Sequence, residues 1–330
     1  MLILAKSILG LMLSFFISLL AGFALIPALR RLKFGQSINK FVEFAHKEKQ
    51  GTPTIGGLIF IIPTIITMLL LYLKGSVELT HTIGIIIFVF VSYALLGFAD
   101  DYKKIKSKSN FGLNTKTKLI VQVLIAMCFF YIFMKGGENT VLNISALGIK
   151  VDLGWFYGVF ILFLLVGSSN AVNITDGLDG LAGGLSLIAF FAFGVISWGS
   201  TYITGYQEIA IFCFVLCGSL LGFLVFNTHP ARVFMGDTGS LALGATLATV
   251  AILTRHELSL AIIGGVFVIE TLSSLIQIIA IRKFHRKVFL IAPLHHHFEK
   301  LGWQETDIVK LFWIVGFMLA MSAIYYGVWL

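Results

Sequence analysis

LILAKSILGLMLSFFISLLAGFALIPAL, residues 2–29, holds one charged side chain, Lys6, in 28 positions. As a helix rising about 1.5 Å per residue it would cover more than the roughly 30 Å of a bilayer's hydrocarbon core. The apolar part of a cleaved signal runs to about 7–15 residues. This stretch is far longer, and Arg30 and Arg31 follow it directly, so it reads as a first membrane span. Working outward from it, nine similar stretches lie near 55–73, 83–99, 118–134, 155–169, 181–198, 207–226, 239–254, 260–281 and 309–329, which with 3–29 makes about ten. No water at that depth satisfies backbone groups, and the period-2 alternation of a barrel is absent, so the spans are expected to be helices. The expected fold class is an all-α polytopic membrane protein, a single integral-membrane domain over 1–330.

Composition agrees. Of 330 residues, 58% are hydrophobic and 12% charged, with a mean hydropathy of +0.96, which excludes a water-facing globular surface. The formal net charge of +8 does not point to nucleic acid, because the basic residues sit in short blocks beside apolar runs. Cys128, Cys213 and Cys217 all lie inside apolar runs without metal-ligand spacing and read as packing residues. Of the 24 Lys and Arg, 18 fall in the loops after spans one, three, five, seven and nine, and five on the other side. Positive charge marks the cytoplasm, so these five loops should face inward and both termini outward. On the outer side TVLNISALGIKVDLG (140–154) alternates around a glycine-containing turn and is expected to form a small β-hairpin.

The inner loops contain HKEKQGTPTIGG (46–57), DDYKKIKSKSNFGLNTKTK (100–118), NAVNITDGLDGLAGG (170–184), FNTHPARVFMGDTGS (226–240) and APLHHHFEKLGW (292–303); the outer loops hold nothing comparable. A face this dense in polar motifs implies a cytoplasmic active-site cleft rather than solvation alone. Asp100 and Asp101 stand at the end of span three, Asp176 and Asp179 at the start of span six and Asp237 at the start of span eight. Acids gathered at membrane helix ends imply a hard cation or a basic partner. Magnesium, which takes one or two carboxylates and completes its shell with water and phosphate, fits separate acids better than a calcium loop does. Asp179 and Asp237 could each cap a helix, whereas Asp100 and Asp101 are expected to follow one.

GTPTIGG, TDGLDGLAGG and GDTGS each precede a span, offering helix N-termini to an anion or serving close helix packing. No Walker A or dinucleotide fingerprint occurs, so a soluble nucleotide fold is excluded. Lys47, Lys49 and Lys116, with His46, would neutralise phosphate oxygens. His295, His296 and His297 cannot all point one way, and zinc spacing is missing, which favours contact with a phosphate or a carboxylate. Phe234 either stacks on a base or anchors its loop in the interface. Glu270, at mid-bilayer depth, is functional or internally paired, and the sequence names no partner for it.

Together these loops resemble, in order and spacing, those of the polyprenyl-phosphate N-acetylhexosamine-1-phosphate transferases. The DD pair and TDGLDG are similar to the whole superfamily, and GTPTIGG and PLHHHFE to its muramoyl-pentapeptide branch; the match runs through every inner loop. Ile55 stands where the family commonly has Met. The resemblance implies an enzyme of the bacterial cytoplasmic membrane that transfers phospho-MurNAc-pentapeptide from UDP-MurNAc-pentapeptide to undecaprenyl phosphate. Lipid I and UMP would be its products, in the first membrane step of peptidoglycan synthesis. It further implies Mg2+ as cofactor with Asp237 as its ligand, Asp100 and Asp101 beside the reacting phosphates, and Lys116 and His295 as supporting catalytic residues. By the same resemblance Lys49, Gly177, Leu178, Asp179, Asn227 and Phe234 would line the uridine pocket. Thr54, Asn170, Asn173, Asp176, His296 and His297 would stand in the substrate neighbourhood. A homodimer, and a ninth span bent near Gly264 and Gly265 to open a groove for the lipid tail, complete what it implies.

Two anionic phosphates must meet, so electrostatic positioning is the main task. A phosphate monoester is largely a dianion at neutral pH, which favours direct in-line attack over a phospho-enzyme formed on an aspartate. Within the class, transfer of GlcNAc-1-phosphate is the competing reading, against which the histidine run speaks. From another class, a secondary transporter would suit ten spans, but it should place its polar residues at the midplane, where Glu270 stands alone.

Overall fold

The computed structural model describes residues 2–32, 51–107, 111–144, 149–199 and 206–329. Its elements are α1 (Leu2–Arg31), α2 (Leu58–Leu73), α3 (His81–Ser107), α4 (Thr115–Lys135), β1 (Val141–Ile144), β2 (Ile149–Asp152), α5 (Phe156–Thr175), α6 (Leu181–Gly199), α7 (Tyr206–Asn227), α8 (Gly236–Leu253), α9 (Glu257–Ile263), α10 (Gly265–Phe284), α11 (Leu294–Lys300) and α12 (Glu305–Trp329). Among the described residues nine helices are long and apolar enough to cross a membrane, and α2, with 16 residues, is apolar but shorter. β1 and β2 form the expected antiparallel hairpin, with Val141 opposite Asp152 and Ile144 opposite Ile149.

The centre and the rim of the bundle differ in what they bury. In α7 and α8, 89% and 94% of the most apolar stretch is buried, against 22% in α1, so the first two are core and the last faces lipid on most sides. α8 is accordingly built from Gly, Ala, Ser, Thr and Leu, which let α3 and α5 approach closely. α1 meets α7 through small residues too. Ser14 Oγ donates to the Val215 carbonyl at 2.7 Å and Ser18 Oγ to the Ser219 carbonyl at 2.8 Å. A Cβ at Gly218 would lie 2.1 Å from the Leu11 carbonyl oxygen, an approach only glycine permits. All three cysteines are free; Cys213 and Cys217 are buried, as packing residues should be, whereas Cys128 is exposed on α4 and does not pack inside the bundle.

Two expectations need correcting. Span three does not end before the aspartate pair: α3 continues to Ser107, so Asp100 and Asp101 lie inside a helix rather than after it. Hydropathy marks where the bilayer ends, whereas backbone hydrogen bonding carries on into Lys103, Lys104 and Lys106. Span nine is not one helix. It breaks at Gly264 (φ −87°, ψ 16°) into α9 and α10, at the expected weak point.

Candidate active site

Four helices deliver the central cluster. Asp100 and Asp101 come from α3, Lys118 from the start of α4, Asn173 from the last turns of α5, and Asp237 from the first turn of α8. One carboxylate oxygen from each of Asp100, Asp101 and Asp237 lies within 4.8 Å of the others. What holds three acids together is positive charge. Lys104 Nζ sits 2.7 Å from Asp100 Oδ2 and 3.1 Å from Asp237 Oδ1, while Lys118 Nζ sits 2.7 Å from Asp237 Oδ2. Asn173 Nδ2 donates to Asp237 Oδ1 at 2.9 Å and to Ser240 Oγ at 2.8 Å.

The two aspartates of the pair are used differently. Asp101 Oδ1 accepts the Asp237 N–H at 3.1 Å, and its Oδ2 accepts the Thr238 N–H and hydroxyl at 2.9 and 2.6 Å. These N–H groups belong to the otherwise unsatisfied first turn of α8, so Asp101 caps that helix from across the interface and fixes where Asp237 begins. Asp100 is equally buried but, among the described residues, makes no hydrogen bond to the α8 backbone: Oδ1 accepts the Leu113 N–H at 2.8 Å and Oδ2 faces Lys104. The approach of α3 to α8 is close here, since a Cβ at Gly97 would lie 2.1 Å from the Asp237 carbonyl oxygen.

A second group of residues forms turns beside the cluster. Phe234 is half-buried; its N–H donates to the Pro53 carbonyl at 2.8 Å, and the Gly56 and Gly57 N–H groups return to the Phe234 and Met235 carbonyls at 2.8 and 2.9 Å. This strap brings buried Thr54 beside Gly236. Asn227 Oδ1 accepts the Gly180 N–H at 3.2 Å and Nδ2 donates to the Val233 carbonyl at 3.0 Å, tying the Gly177–Gly180 turn to the Phe234 loop. Asp179 is buried rather than a simple cap: its Oδ2 accepts the Ala231 N–H at 3.0 Å and faces His229 Nδ1 at 3.1 Å, while its N–H donates to Glu305. Leu178 is buried beneath the same turn. Asp176 closes α5, and Asn170 turns back to donate to its own helix at Val166.

The three histidines diverge as expected. His295 reaches Glu270, His296 reaches Glu299 at 2.5 Å, and His297 Nδ1 accepts the Leu290 N–H. Glu270 therefore has an internal partner. Lys116 is exposed in the first turn of α4, and Lys118, about 200° further round the helix, is the lysine that reaches Asp237. Lys49, with His46 and Lys47, lies outside the described residues. Lys104, Lys118, His229 and Glu305 were not singled out from sequence. For Lys104 the signal was present, since it stands four residues after Asp100 on one helix face.

Further along two of the same helices, α5 and α8 together with α9 and α10 enclose an apolar groove lined by Phe163, Gly167, Leu247, Leu260, Phe267 and Leu272, with the break at Gly264 in its wall. Its lining is suited to a hydrocarbon chain and offers almost nothing to a polar solute.

Comparison with known proteins agrees with this architecture. A family model described as glycosyl transferase family 4 matches residues 82–255, which include every member of the acidic cluster. Phospho-N-acetylmuramoyl-pentapeptide-transferase of Geobacillus sp. (strain WCH70) is 48% identical over 323 residues, 98% of each chain. Those of Geobacillus kaustophilus (strain HTA426) and Bacillus subtilis (strain 168) are 50% and 48% identical, over 96% and 97% of each chain. With near-complete coverage at this identity, the chain belongs to the phospho-N-acetylmuramoyl-pentapeptide-transferase family.

Proposed function

We propose that this chain transfers phospho-MurNAc-pentapeptide from UDP-MurNAc-pentapeptide to undecaprenyl phosphate, releasing UMP and forming lipid I. The observation that carries the reading is the convergence of three carboxylates, two ammonium groups and an amide from four helices, two of which, α5 and α8, also wall an apolar groove. A polar reaction centre and an apolar channel built on the same two helices suit a substrate with a phosphate head and a polyprenyl tail. The Gly177–Gly180 turn, Asn227 and Phe234 would hold the uridine, with the ring of Phe234 as a stacking face.

The donor set also suits Mg2+, because carboxylate oxygens from separate helices leave room for substrate phosphates. Asp237, with Asp100 beside it, would hold the ion, which when bound neutralises charge on the diphosphate. Lys104 and Lys118 would turn from the carboxylates to phosphate oxygens, holding both substrates for in-line attack. Asp100 would take any proton left on the lipid phosphate. Asp101 keeps the first turn of α8 in place throughout. The reading sets the active site on the lysine-rich, cytoplasmic side of the bacterial inner membrane, and the protein as a homodimer.

Purified protein in detergent, given UDP-MurNAc-pentapeptide, undecaprenyl phosphate and magnesium, should release UMP, and should stop when either lipid or magnesium is left out. Labelled enzyme, or a burst of UMP without acceptor, would replace direct attack by a phospho-enzyme. No UMP, with uptake into liposomes instead, would replace the enzyme by a transporter.

A further inference from the structure

Glu270 lies in α10 and takes no part in the chemistry above. Its side chain and that of His295 are both fully buried. The His295 N–H donates to Glu270 Oε1 at 3.1 Å, and His295 Nδ1 lies 2.8 Å from Oε2. One carboxylate thus grips the main chain and the ring of a single residue. Where the carboxylate accepts at both oxygens, Nδ1 carries the ring proton and Nε2 of the neutral ring presents a lone pair. Nε2 is buried and has no hydrogen-bond partner among the described residues. It abuts the nucleotide turn: a Cβ at Gly177 would lie 2.3 Å from it.

The surroundings of Glu270 show a built support rather than a chance contact. Glu270, Ser273 and Gln277 form a buried polar stripe on α10 at i, i+3 and i+7. Gln277 Oε1 accepts the Val288 and Phe289 N–H groups at 3.0 Å each, and its Nε2 donates to the Phe289 carbonyl at 2.9 Å. The helix therefore holds the segment leading to His295 at two points. Phe267, Val268, Thr271 and Leu272 of the same helix line the apolar groove.

We propose that Glu270 is a positioning residue for the transfer reaction, fixing the Nδ1–H tautomer and the orientation of His295 so that the Nε2 lone pair faces the Gly177 turn. This rests on the function proposed above, in which that turn holds the donor nucleotide. Glu270 acts only through His295, and one helix then carries both the groove wall and the histidine support.

Glu270→Gln tests the assignment, because the amide has the shape of the carboxyl but presents its NH2 to Nδ1 and drives the ring proton to Nε2. In histidine-labelled protein, with the His295 signals assigned by their loss in His295→Asn, nitrogen chemical shifts should report Nδ1–H in the wild type. An Nε2–H tautomer there overturns the proposal, and this readout needs neither turnover nor a folded Glu270 variant. In UMP release, Glu270→Gln should lower kcat at least about tenfold while KM for the donor moves less than about threefold. It should cost nothing further in a His295→Asn background. Wild-type kcat in Glu270→Gln, or losses that multiply in the double variant, would equally overturn it. A wild type that makes no UMP at all would instead remove the function reading and leave the tautomer to be measured.

Discussion

Acids meet bases at both ends of the helix bundle, but the two ends partner them in opposite ways. At the hairpin end each acid has its own donor: the Tyr157 hydroxyl donates to Glu257, and Arg255 donates to Glu138 at 2.8 Å and to the Asn139 carbonyl at 2.6 Å. Those donors are a phenol and a guanidinium, the latter stacked over the Phe133 ring. At the aspartate end three carboxylates share two lysines and one asparagine, and Lys104 and Lys118 each span Asp100 and Asp237. A dedicated, rigid partner locks an acid into the fold. Shared ammonium groups on flexible stems can be exchanged for a metal or a phosphate without unfolding anything. Burial of an acid is therefore a poor guide to chemistry, and the way its charge is shared is a better one.

The strongest way to break this contrast is to neutralise one acid at each end. Asp237→Asn should lower UMP release by about 10³-fold or more while the melting temperature in detergent stays near that of the wild type. Glu257→Ala should do the reverse. Stranding the Tyr157 hydroxyl costs about 1–3 kcal/mol of stability, with turnover per folded molecule within about twofold of wild type. If both variants lost turnover alike, the two ends would not differ in kind. A finer test separates neighbouring lysines. Lys118→Met should lower turnover by about 10²-fold, and Lys116→Met by much less, because only the first touches Asp237. Equal losses would mean that α4 turns on substrate binding.

How much of this was legible in the sequence follows from which physics acted locally. The spans and the hairpin could be read because apolar length and alternation are properties of short windows, whereas the bend near Gly264 is implied only by the family resemblance. The gathering of the aspartates could be read because all the polar loops share one side. What escaped needed helix phase across the membrane surface. Taking α3 to stop before Asp100 hid both Lys104, one turn on, and the capping of α8 by Asp101. Lys116 and Lys118 cannot be told apart until α4 is rotated against α8. His229 and Glu305 meet Asp179 only through contacts between distant segments. The partner of Glu270 lay 25 residues further along, beyond any local pattern.

The smallest effect expected concerns the strap that holds the start of α8. Ile55 has φ 68°, in the left-handed region, where a β-branched residue is strained by about 1–2 kcal/mol. It is held there by the backbone bonds between residues 53–57 and 234–235 and by complete burial of its side chain. Two terms therefore oppose each other at one residue. Ile55→Met keeps the volume and removes the β-branch, so stability should rise by about 0.5 kcal/mol, with turnover unchanged. Ile55→Gly removes the strain entirely but also the buried side chain, worth about 2–5 kcal/mol with its cavity, and should destabilise. Thermal unfolding of the two variants separates strain from packing. A loss of more than about 1 kcal/mol in Ile55→Met would show that the fit of the isoleucine, rather than its backbone, governs how firmly Phe234 and Met235 are held ahead of Asp237.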